Sequence, residues 1–380
     1  MARYGFYEFF AGGGMARAGL GPDWDCLFAN DFDEKKADSY RVNWGGDHLH
    51  VGDVGLVNST QLRGVADLVW ASFPCQDLSL AGNGAGLNGT RSGAFWPFWR
   101  LVSELIAEGR KPKTIVLENV CGLLTSHNGA DFQALCEHVA KAGYWIGAII
   151  ADARDFLPQS RPRLFLIALD TRLETPGYLL NRGPMNHWHP AQITKAYACL
   201  PETIRTNWIW LSPTIPPIAN ITLADVIEDE PKGVEWHPPS ETRRLLAMMS
   251  PVNRAKVDLV AANRERAVGA IYKRTRIENG ARIQRAEVRF DVAGCLRTPG
   301  GGSSRQIIIV SEKQNIRTRL ISPRETARLM GLAEDYILPQ RYNDAYHLTG
   351  DGVAVPVVRH IREAIIDPFL KTNVKMKASA

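Results

Sequence analysis

The chain has 380 residues, of which 45% are hydrophobic and 22% charged, and its formal net charge is +5. These proportions exclude a fibrous or intrinsically disordered chain, and a single core rarely grows beyond about 250–300 residues, so two domains are expected. No apolar run has the length of a membrane span or a signal peptide, which predicts a cytoplasmic protein.

Short apolar runs alternate with longer amphipathic stretches in the first half of the chain. This pattern is typical of parallel strands joined by helices and predicts an α/β fold with a mainly parallel sheet. The predicted strands are residues 4–9, 26–29, 68–71, 114–117, 146–151 and 164–168, and the predicted helices are 96–108 and 131–142.

The second half of the chain has a different texture. Residues 176–217 are rich in Pro, Trp and Asn without a regular period, which indicates a connection or an inserted subdomain. Short helices are predicted at 222–227, 240–249 and 322–337, the last opening with Ser322, Pro323 and Glu325 in a capping-box pattern. Strands and glycine turns are predicted between residues 271 and 310.

The six cysteines contain no Cys-x-x-Cys pair, which predicts thiols rather than disulfides. His187 and His189 are two residues apart with no nearby Cys or carboxylate cluster, which is not the spacing of a zinc site. No metal is therefore predicted.

Polar motifs follow several of the predicted strands. They are Pro74-Cys75-Gln76, Glu118-Asn119-Val120 and Gln159-Ser160-Arg161-Pro162-Arg163. Parallel strands present their following loops at one edge of a sheet, so a thiol, a carboxylic acid and two guanidinium groups are expected to meet there. Such a set suits nucleophilic attack on a flat, electron-poor ring.

A glycine cluster, Gly12-Gly13-Gly14, lies between the first predicted strand and a helix. It permits close approach of a nucleotide-like ligand, although a plain strand-to-helix turn is an equal reading of the cluster alone. Asp31 and Asp53 follow at later strand ends, where an acid can hold ribose hydroxyls or an adenine amino group.

Basic residues concentrate late in the chain. Residues 264–305 hold ten Lys or Arg against four Asp or Glu, a net charge of +6. A basic stretch followed by glycines fits contact with a nucleic-acid backbone, while a solvated arginine-rich face is the alternative.

In this order the motifs resemble those of the cytosine-C5 DNA methyltransferase family over nearly the whole chain. The family's Phe-Ala-Gly-x-Gly, Pro-Cys-Gln, Glu-Asn-Val and Gln-x-Arg-x-Arg elements correspond to residues 10–14, 74–76, 118–120 and 159–163. Its Arg-x-Leu-(Ser/Thr)-x-Arg-Glu-x-Ala-Arg-Leu segment resembles residues 319–331, and its closing Gly-Asn-x-Val resembles residues 350–353. The chain departs from the family pattern at Gly13 and Met15, at Asp31 in place of Glu, and at Asp351 in place of Asn.

The resemblance implies a Rossmann-like methyltransferase domain formed by residues 1–175 and 320–380. A smaller, irregular or β-rich hinge and target-recognition domain would be formed by residues 176–319. It further implies a Cys75 thiolate that attacks carbon 6 of a flipped-out cytosine, Glu118 donating toward N3, Arg163 reaching O2, Arg161 bracing the loop or a phosphate, and Asn119 fixing the cysteine loop.

The implied cofactor is S-adenosyl-L-methionine, converted to S-adenosyl-L-homocysteine. Its expected contacts are Phe10, Ala11, Gly12, Gly14, Asp31, Phe32, Asp53, Val54, Pro74 and Val353. The expected DNA contacts are Gln76, Ser79, Arg91, Arg274, Arg276, Arg285, Arg297, Gly301 and Arg305.

These residues favour a DNA (cytosine-5-)-methyltransferase of restriction-modification type that acts on double-stranded DNA. It is expected to be a monomer, with a cognate restriction endonuclease acting independently. Two alternatives stay open, the same chemistry on RNA and a DNA-binding homologue without turnover.

Overall fold

The chain forms two compact units in a computed structural model, which describes residues 4–74, 92–217, 219–263, 265–278, 280–298 and 304–379. Unit 1 comprises Met1–Asp152, Pro162–Pro217 and Val355–Ala380, and unit 2 comprises Ala153–Arg161 and Ile218–Ala354. These limits differ from those of the predicted domains, since 176–217 falls in unit 1 and 320–354 in unit 2. The functional assignment of each domain stays a prediction.

Unit 1 contains a seven-stranded sheet in the order β3-β2-β1-β4-β5-β7-β6. Strands β1 to β5 run parallel, and β7 is antiparallel to both β5 and β6. A short antiparallel pair, β8 and β9, forms a second, two-stranded sheet. The strands are β1 (Tyr4–Phe9), β2 (Trp24–Asp31), β3 (Leu49–Val51), β4 (Leu68–Ala71), β5 (Thr114–Asn119), β6 (Tyr144–Asp152), β7 (Pro162–Asp170), β8 (Leu180–Asn181) and β9 (Trp210–Leu211).

Helices connect the strands of unit 1 and bury their apolar faces against the sheet. They are α1 (Met15–Leu20), α2 (Glu34–Trp44), α3 (Phe95–Ala107), α4 (Ala130–Lys141), α5 (Ala191–Cys199) and α6 (Glu202–Arg205). In α3, buried Phe95, Phe98, Val102 and Leu105 share one face, which gives this helix its amphipathic pattern. They join a core cluster that also includes sheet residues such as Phe9.

Unit 2 is built on a four-stranded antiparallel sheet in the order β11-β10-β12-β13. Its core holds Leu245, Val257, Ile271, Val288 and Ile309. The elements are α7 (Leu223–Val226), α8 (Pro239–Ala247), α9 (Pro251–Ala262), β10 (Ala267–Glu278), β11 (Ala281–Arg289), β12 (Ile307–Glu312), β13 (Asn315–Leu320), α10 (Pro323–Leu329) and α11 (Tyr342–Asp351).

The chain returns to unit 1 through α12 (Val355–Ile361), a π-helical turn (Arg362–Ile366) and α13 (Asp367–Ser379). Helix α12 packs so closely on α1 that a Cβ on Gly19 would lie only 2.4 Å from Cβ of Val358. No helix in the described ranges is both long and apolar enough to cross a bilayer.

The mainly parallel sheet and the separate antiparallel sheet confirm the predicted fold class. The predicted helix 322–337 is wrong in its length, since α10 ends at Leu329. Gly331 adopts φ 74°, and the Leu332 amide donates to the carbonyl of Ala327, which closes the helix in a Schellman-type turn. Its predicted capping box is present between Ser322 and Glu325.

Residues 176–217 are more regular than their composition indicates. They contain α5 and α6, whose side chains Ile193 and Ile204 join the main core of unit 1 together with Trp208. Packing against the sheet, rather than a sequence period, gives this segment its order.

A buried ion pair provides a test of the stability of unit 2. The guanidinium of Arg319 donates to both carboxylate oxygens of Glu325 at 2.7 and 2.5 Å, and neither side chain is exposed. Because Glu325→Gln leaves a buried guanidinium uncompensated, we expect a loss of roughly 3–5 kcal/mol in the free energy of unfolding, measured in urea.

The matched control is Glu241→Gln, which breaks the more exposed pair between Glu241 and Arg244 on α8. It should change the free energy of unfolding by less than about 1 kcal/mol. Equal losses in the two variants would contradict the assigned role of the buried pair.

A second test concerns Glu8 on β1, which is 1% exposed. Burial raises its pKa to about 8, although backbone hydrogen bonds from Arg17 and Ala16 and the charge of Arg17 act in the opposite direction. The folded state therefore keeps a proton that the unfolded chain loses near its ordinary pKa of 4.5, so the protein loses stability as the pH rises from 4.5 to 8.

Glu8→Gln removes this titration. The free energy of unfolding of the wild type should fall between pH 6 and pH 8, while that of the variant should not show this fall. We therefore expect the difference between variant and wild type to shift in favour of the variant by roughly 1–3 kcal/mol over this range, as measured by urea unfolding at each pH. Parallel pH profiles for the two proteins would refute a raised pKa at Glu8.

Candidate active site

The parallel strands of unit 1 bring their carboxyl ends to one edge of the sheet. Strand β1 lies between β2 and β4, and β4 pairs with β5. Phe9 is in register with Asn30 on one side and Ala71 on the other, while Ala71 is in register with Leu117. The motifs predicted to follow these strands therefore start from neighbouring positions.

The turn after β1 has an unusual backbone. Phe10 adopts φ 58° and Gly12 φ 55°, both in the left-handed region, which is costly for phenylalanine. The Ala11 amide donates to the carbonyl of Asn30 at 2.9 Å, which ties the turn to β2. A Cβ on Gly12 would meet no atom of the described residues within 4 Å, so this side of its backbone is open with respect to them.

Asp31, at the end of β2, is bonded to this turn. Its Oδ2 accepts from the Gly12 amide at 2.7 Å and its Oδ1 accepts from the Asp33 amide at 2.9 Å. Burial raises the pKa of Asp31, while the two backbone amides and Lys36 lower it. The carboxylate therefore holds the glycine turn in place, a role that the sequence reading did not anticipate.

The other predicted cofactor contacts in unit 1 lie along the same edge. Phe32 follows Asp31 and is 77% exposed, which is unusual for a large aromatic ring. Asp53 follows β3 and accepts from the Gly55 amide at 2.8 Å, Val54 is buried, and Pro74 is half-buried. Val353 is also buried, but it belongs to unit 2.

Glu118 and Arg163 form an ion pair within unit 1. Glu118 is the last but one residue of β5, and Arg163 lies near the start of β7, the antiparallel neighbour of β5. Nε of Arg163 lies 3.2 Å from Oε1 of Glu118, and both side chains are largely buried. The carboxyl group of Glu118 and the guanidinium of Arg163 are thus held side by side.

Asn119 links β5 to the segment that leads to Cys75. Its Nδ2 donates to the carbonyl of Phe73 at 3.1 Å, and its Oδ1 accepts from the Val120 amide at 2.8 Å. The backbone two residues before Cys75 is therefore fixed relative to the strand that carries Glu118.

Cys121 is a half-buried thiol near this pair that the sequence reading did not single out. Burial raises its pKa to about 11, and the charge of Arg163 acts in the opposite direction. A thiol with a raised pKa is a poor nucleophile at neutral pH. The position after Glu-Asn-Val could have drawn attention to it, but no pattern in the sequence predicts its burial.

Arg161 belongs to unit 2 and is 2% exposed. Its guanidinium donates to the carbonyls of Leu296, Gly350 and Gly352 at 2.8, 2.9 and 2.6 Å, and to Sγ of Cys295 at 3.2 Å. Arg161 thus joins two backbone segments that are more than 50 residues apart in the chain.

Several predicted DNA contacts lie on the hairpin formed by β10 and β11. Arg274 is directly opposite Arg285 and stacks over the ring of Tyr272 at 4.9 Å, while Arg276 is paired with Glu287. A groove of about 510 Å³ runs between this hairpin and the start of α9.

The remaining predicted DNA contacts are dispersed. Arg297 is exposed. Arg305 donates a hydrogen bond from Nη2 to Oδ1 of Asn343 and lies over the ring of Tyr342. Cys75, Gln76, Ser79, Arg91 and Gly301 lie outside the described residues. Among the described residues, no group of three or more His, Cys, Asp or Glu could hold a metal ion.

Solved structures share the fold of the chain. The Dnmt2 methyltransferase of S. pombe superposes with a TM-score of 0.58 at 16% identity and covers 96% of this chain and 99% of its own. The methyltransferase EhMeth of Entamoeba histolytica gives a TM-score of 0.61 at 16% identity, over 97% and 99% of the two chains.

Sequence relatives cover most of the chain. The Type II methyltransferase M1.ScrFI of Lactococcus lactis subsp. cremoris is 26% identical over 98% of this chain and 80% of its own length. M.NlaX of Neisseria lactamica is 27% identical over 94% of each protein.

The sequence model of the C-5 cytosine-specific DNA methylase family matches residues 4–367 of the chain. This range runs from the first residue of β1 to the first residue of α13. This match confirms the resemblance that the ordered motifs indicated. The protein belongs to the C-5 cytosine-specific DNA methylase family.

Proposed function

We propose that the protein transfers a methyl group from S-adenosyl-L-methionine to carbon 5 of a flipped-out cytosine in a specific duplex DNA sequence. The observation that carries this proposal is the Glu118–Arg163 pair at the end of β5, beside the Asn119 bond to Phe73. Together with family membership, it supports an acid and a donor held next to the segment that leads to Cys75.

The residues after β1 to β3 fit a nucleoside-bearing cofactor. Gly12 offers an open backbone, Phe32 offers an exposed flat ring, and Asp31 and Asp53 offer acceptors for ribose hydroxyls and an adenine amino group. S-adenosylmethionine, when bound, supplies an electrophilic methyl group.

The reaction needs a nucleophile because carbon 5 of cytosine is itself weakly nucleophilic. The Cys75 thiolate adds to carbon 6, and the electron pair gained by the ring makes carbon 5 able to take the methyl group. Glu118 in its protonated form donates to N3 and Arg163 donates to O2, so charge that develops on the ring is stabilised. Loss of the carbon 5 proton to a base then expels the thiolate, and return of the N3 proton to Glu118 restores the neutral aromatic ring, with S-adenosyl-L-homocysteine as the other product.

Duplex DNA is the proposed substrate. The family description names DNA, and the basic hairpin of β10 and β11 offers exposed arginines for phosphate or base contacts. A base inside a duplex hides carbon 6, so it must leave the stack at a cost of a few kcal/mol. Competition between duplex DNA and tRNA in a tritiated methyl-transfer assay separates this substrate from RNA.

The relatives are named Type II methyltransferases, which supports a role in restriction-modification. We propose that the protein acts in the cytoplasm as a monomer, independently of a cognate restriction endonuclease. Bisulfite sequencing of DNA from expressing cells would report the methylated position and its sequence context.

The covalent step predicts the behaviour of Cys75→Ser. Because a hydroxyl is far less ionised than a thiol, we expect methyl transfer to fall by roughly 10³-fold or more. A duplex with 5-fluorocytosine at the target should form a stable adduct with the wild type and cofactor, but none with the variant.

The matched control is Cys199→Ser, since Cys199 is an exposed thiol on α5. It should retain both turnover and adduct formation. Normal turnover by Cys75→Ser would exclude the covalent mechanism, and a wild type that binds DNA without turnover would favour a silent homologue.

The acid role of Glu118 predicts a large loss of rate in Glu118→Gln, because glutamine keeps the shape but cannot transfer a proton. We expect kcat to fall by roughly 10²–10⁴-fold. Glu137→Gln on α4, which removes an exposed pair with Lys141, should leave kcat unchanged. A rate within about fivefold of the wild type for Glu118→Gln would rule out proton donation from this residue.

A further inference from the structure

The glycine turn provides no side-chain cap for the helix that follows it. Gly14 is the N-cap residue of α1 at φ 76°, and it has no side chain to cap the helix. Helix α1 itself has only six residues. Contacts from outside the turn therefore add to the hydrogen bond within it in fixing its backbone.

Trp44, the last residue of α2, provides such a contact. Its indole Nε1–H donates to the carbonyl of Gly13 at 2.9 Å, while the Gly14 amide donates to the carbonyl of Ala11 at 2.8 Å. The Gly13 carbonyl and the Gly14 amide belong to one peptide plane. Both ends of that plane are therefore fixed, so rotation of the plane would break two hydrogen bonds.

The indole also occupies the space beside Gly14. A Cβ at Gly14 would lie 2.4 Å from Nε1 of Trp44 and 3.0 Å from Cε2 of Tyr40. The turn thus rests directly on these two aromatic side chains, and only glycine fits at this position.

Trp44 is itself held in place by a polar and apolar cluster. The guanidinium carbon of Arg17 lies 5.1 Å from the centre of the indole, and Nη1 of Arg17 donates to the hydroxyl of Tyr40 at 3.1 Å. Tyr40 is fully buried with Ala11 and Ala29 in a small core against which Trp44 packs. The position of the indole is therefore determined by the helix, the strand and the turn together.

We propose that Trp44 is a positioning residue for the cofactor, acting through the peptide between Gly13 and Gly14. This inference rests on the proposed binding of S-adenosylmethionine at the glycine turn. Loss of the indole donor loosens the turn and weakens cofactor binding, but it leaves the groups that act on the cytosine unchanged.

The test is Trp44→Phe, which keeps an aromatic ring and removes the donor. Trp145→Phe is the control, because Trp145 is a half-buried tryptophan on β6 at the opposite edge of the same sheet. Amide hydrogen exchange of the peptide that contains residues 12–15 is measured without cofactor, and the Kd for S-adenosylmethionine is measured by calorimetry. Rates of methyl transfer to duplex DNA then give KM and kcat.

In Trp44→Phe we expect faster exchange in this peptide and a rise of roughly three- to tenfold in Kd and KM, with kcat nearly unchanged. Trp145→Phe should alter none of these values. Unchanged exchange, an unchanged Kd, or a fall in kcat alone would overturn the proposal. A wild type that binds no S-adenosylmethionine would instead refute the proposed function, while the exchange data would still report whether Trp44 holds the turn.

Discussion

The parallel pairing of β4 with β5 is the constraint on which the candidate chemistry of unit 1 depends. The register of the two strands places the end of β4 beside β5. The side-chain amide of Asn119 then donates a hydrogen bond to the carbonyl of Phe73. That bond lies between the carboxylate of Glu118 and the segment that leads to Cys75. A change of one residue in this register would turn the Glu118 side chain to the opposite face of the sheet.

The buried arginines differ in the groups to which they donate. Arg163 is compensated by the carboxylate of Glu118 and Arg319 by that of Glu325, whereas Arg161 donates to backbone carbonyls and a sulfur atom. The acceptors of Arg161 lie on separate backbone segments, and the forked geometry of the guanidinium lets one side chain donate to all of them. A lysine there could not reach the same acceptors from one point, and the segments at Leu296 and Gly350 would lose their common anchor.

The sequence predicted the interiors of the strands better than their ends. Strands β1 and β4 have the predicted limits, but β2 and β7 extend by two residues at each end, because polar residues such as Asp25 and Asp170 lie within the ladder. The local signals for the start of α10 were correct, but its end at Leu329 was missed, although Gly331 follows closely and glycine is a common stop signal.

Hydrogen bonds between residues that are far apart in the sequence could not be predicted from the periodicity of the sequence. The bond from Trp44 to Gly13 spans 31 residues and that from Arg161 to Gly350 spans 189. The motifs identified which residues carry chemistry, since side-chain type limits what each group can do. Which of them meet, and through which atoms, depends on packing that only the folded chain defines.

Asp31 stands where the family pattern has Glu, and its contacts show how such packing bears on function. Each oxygen of Asp31 already accepts one backbone amide, from Gly12 and from Asp33. A carboxylate oxygen has two lone pairs, so each can accept one further hydrogen bond from a ribose hydroxyl. The shorter acid can thus combine two tasks. It fixes the Gly12 side of the turn while Trp44 fixes the Gly13 carbonyl, and the cofactor would meet a backbone whose shape is set before it binds.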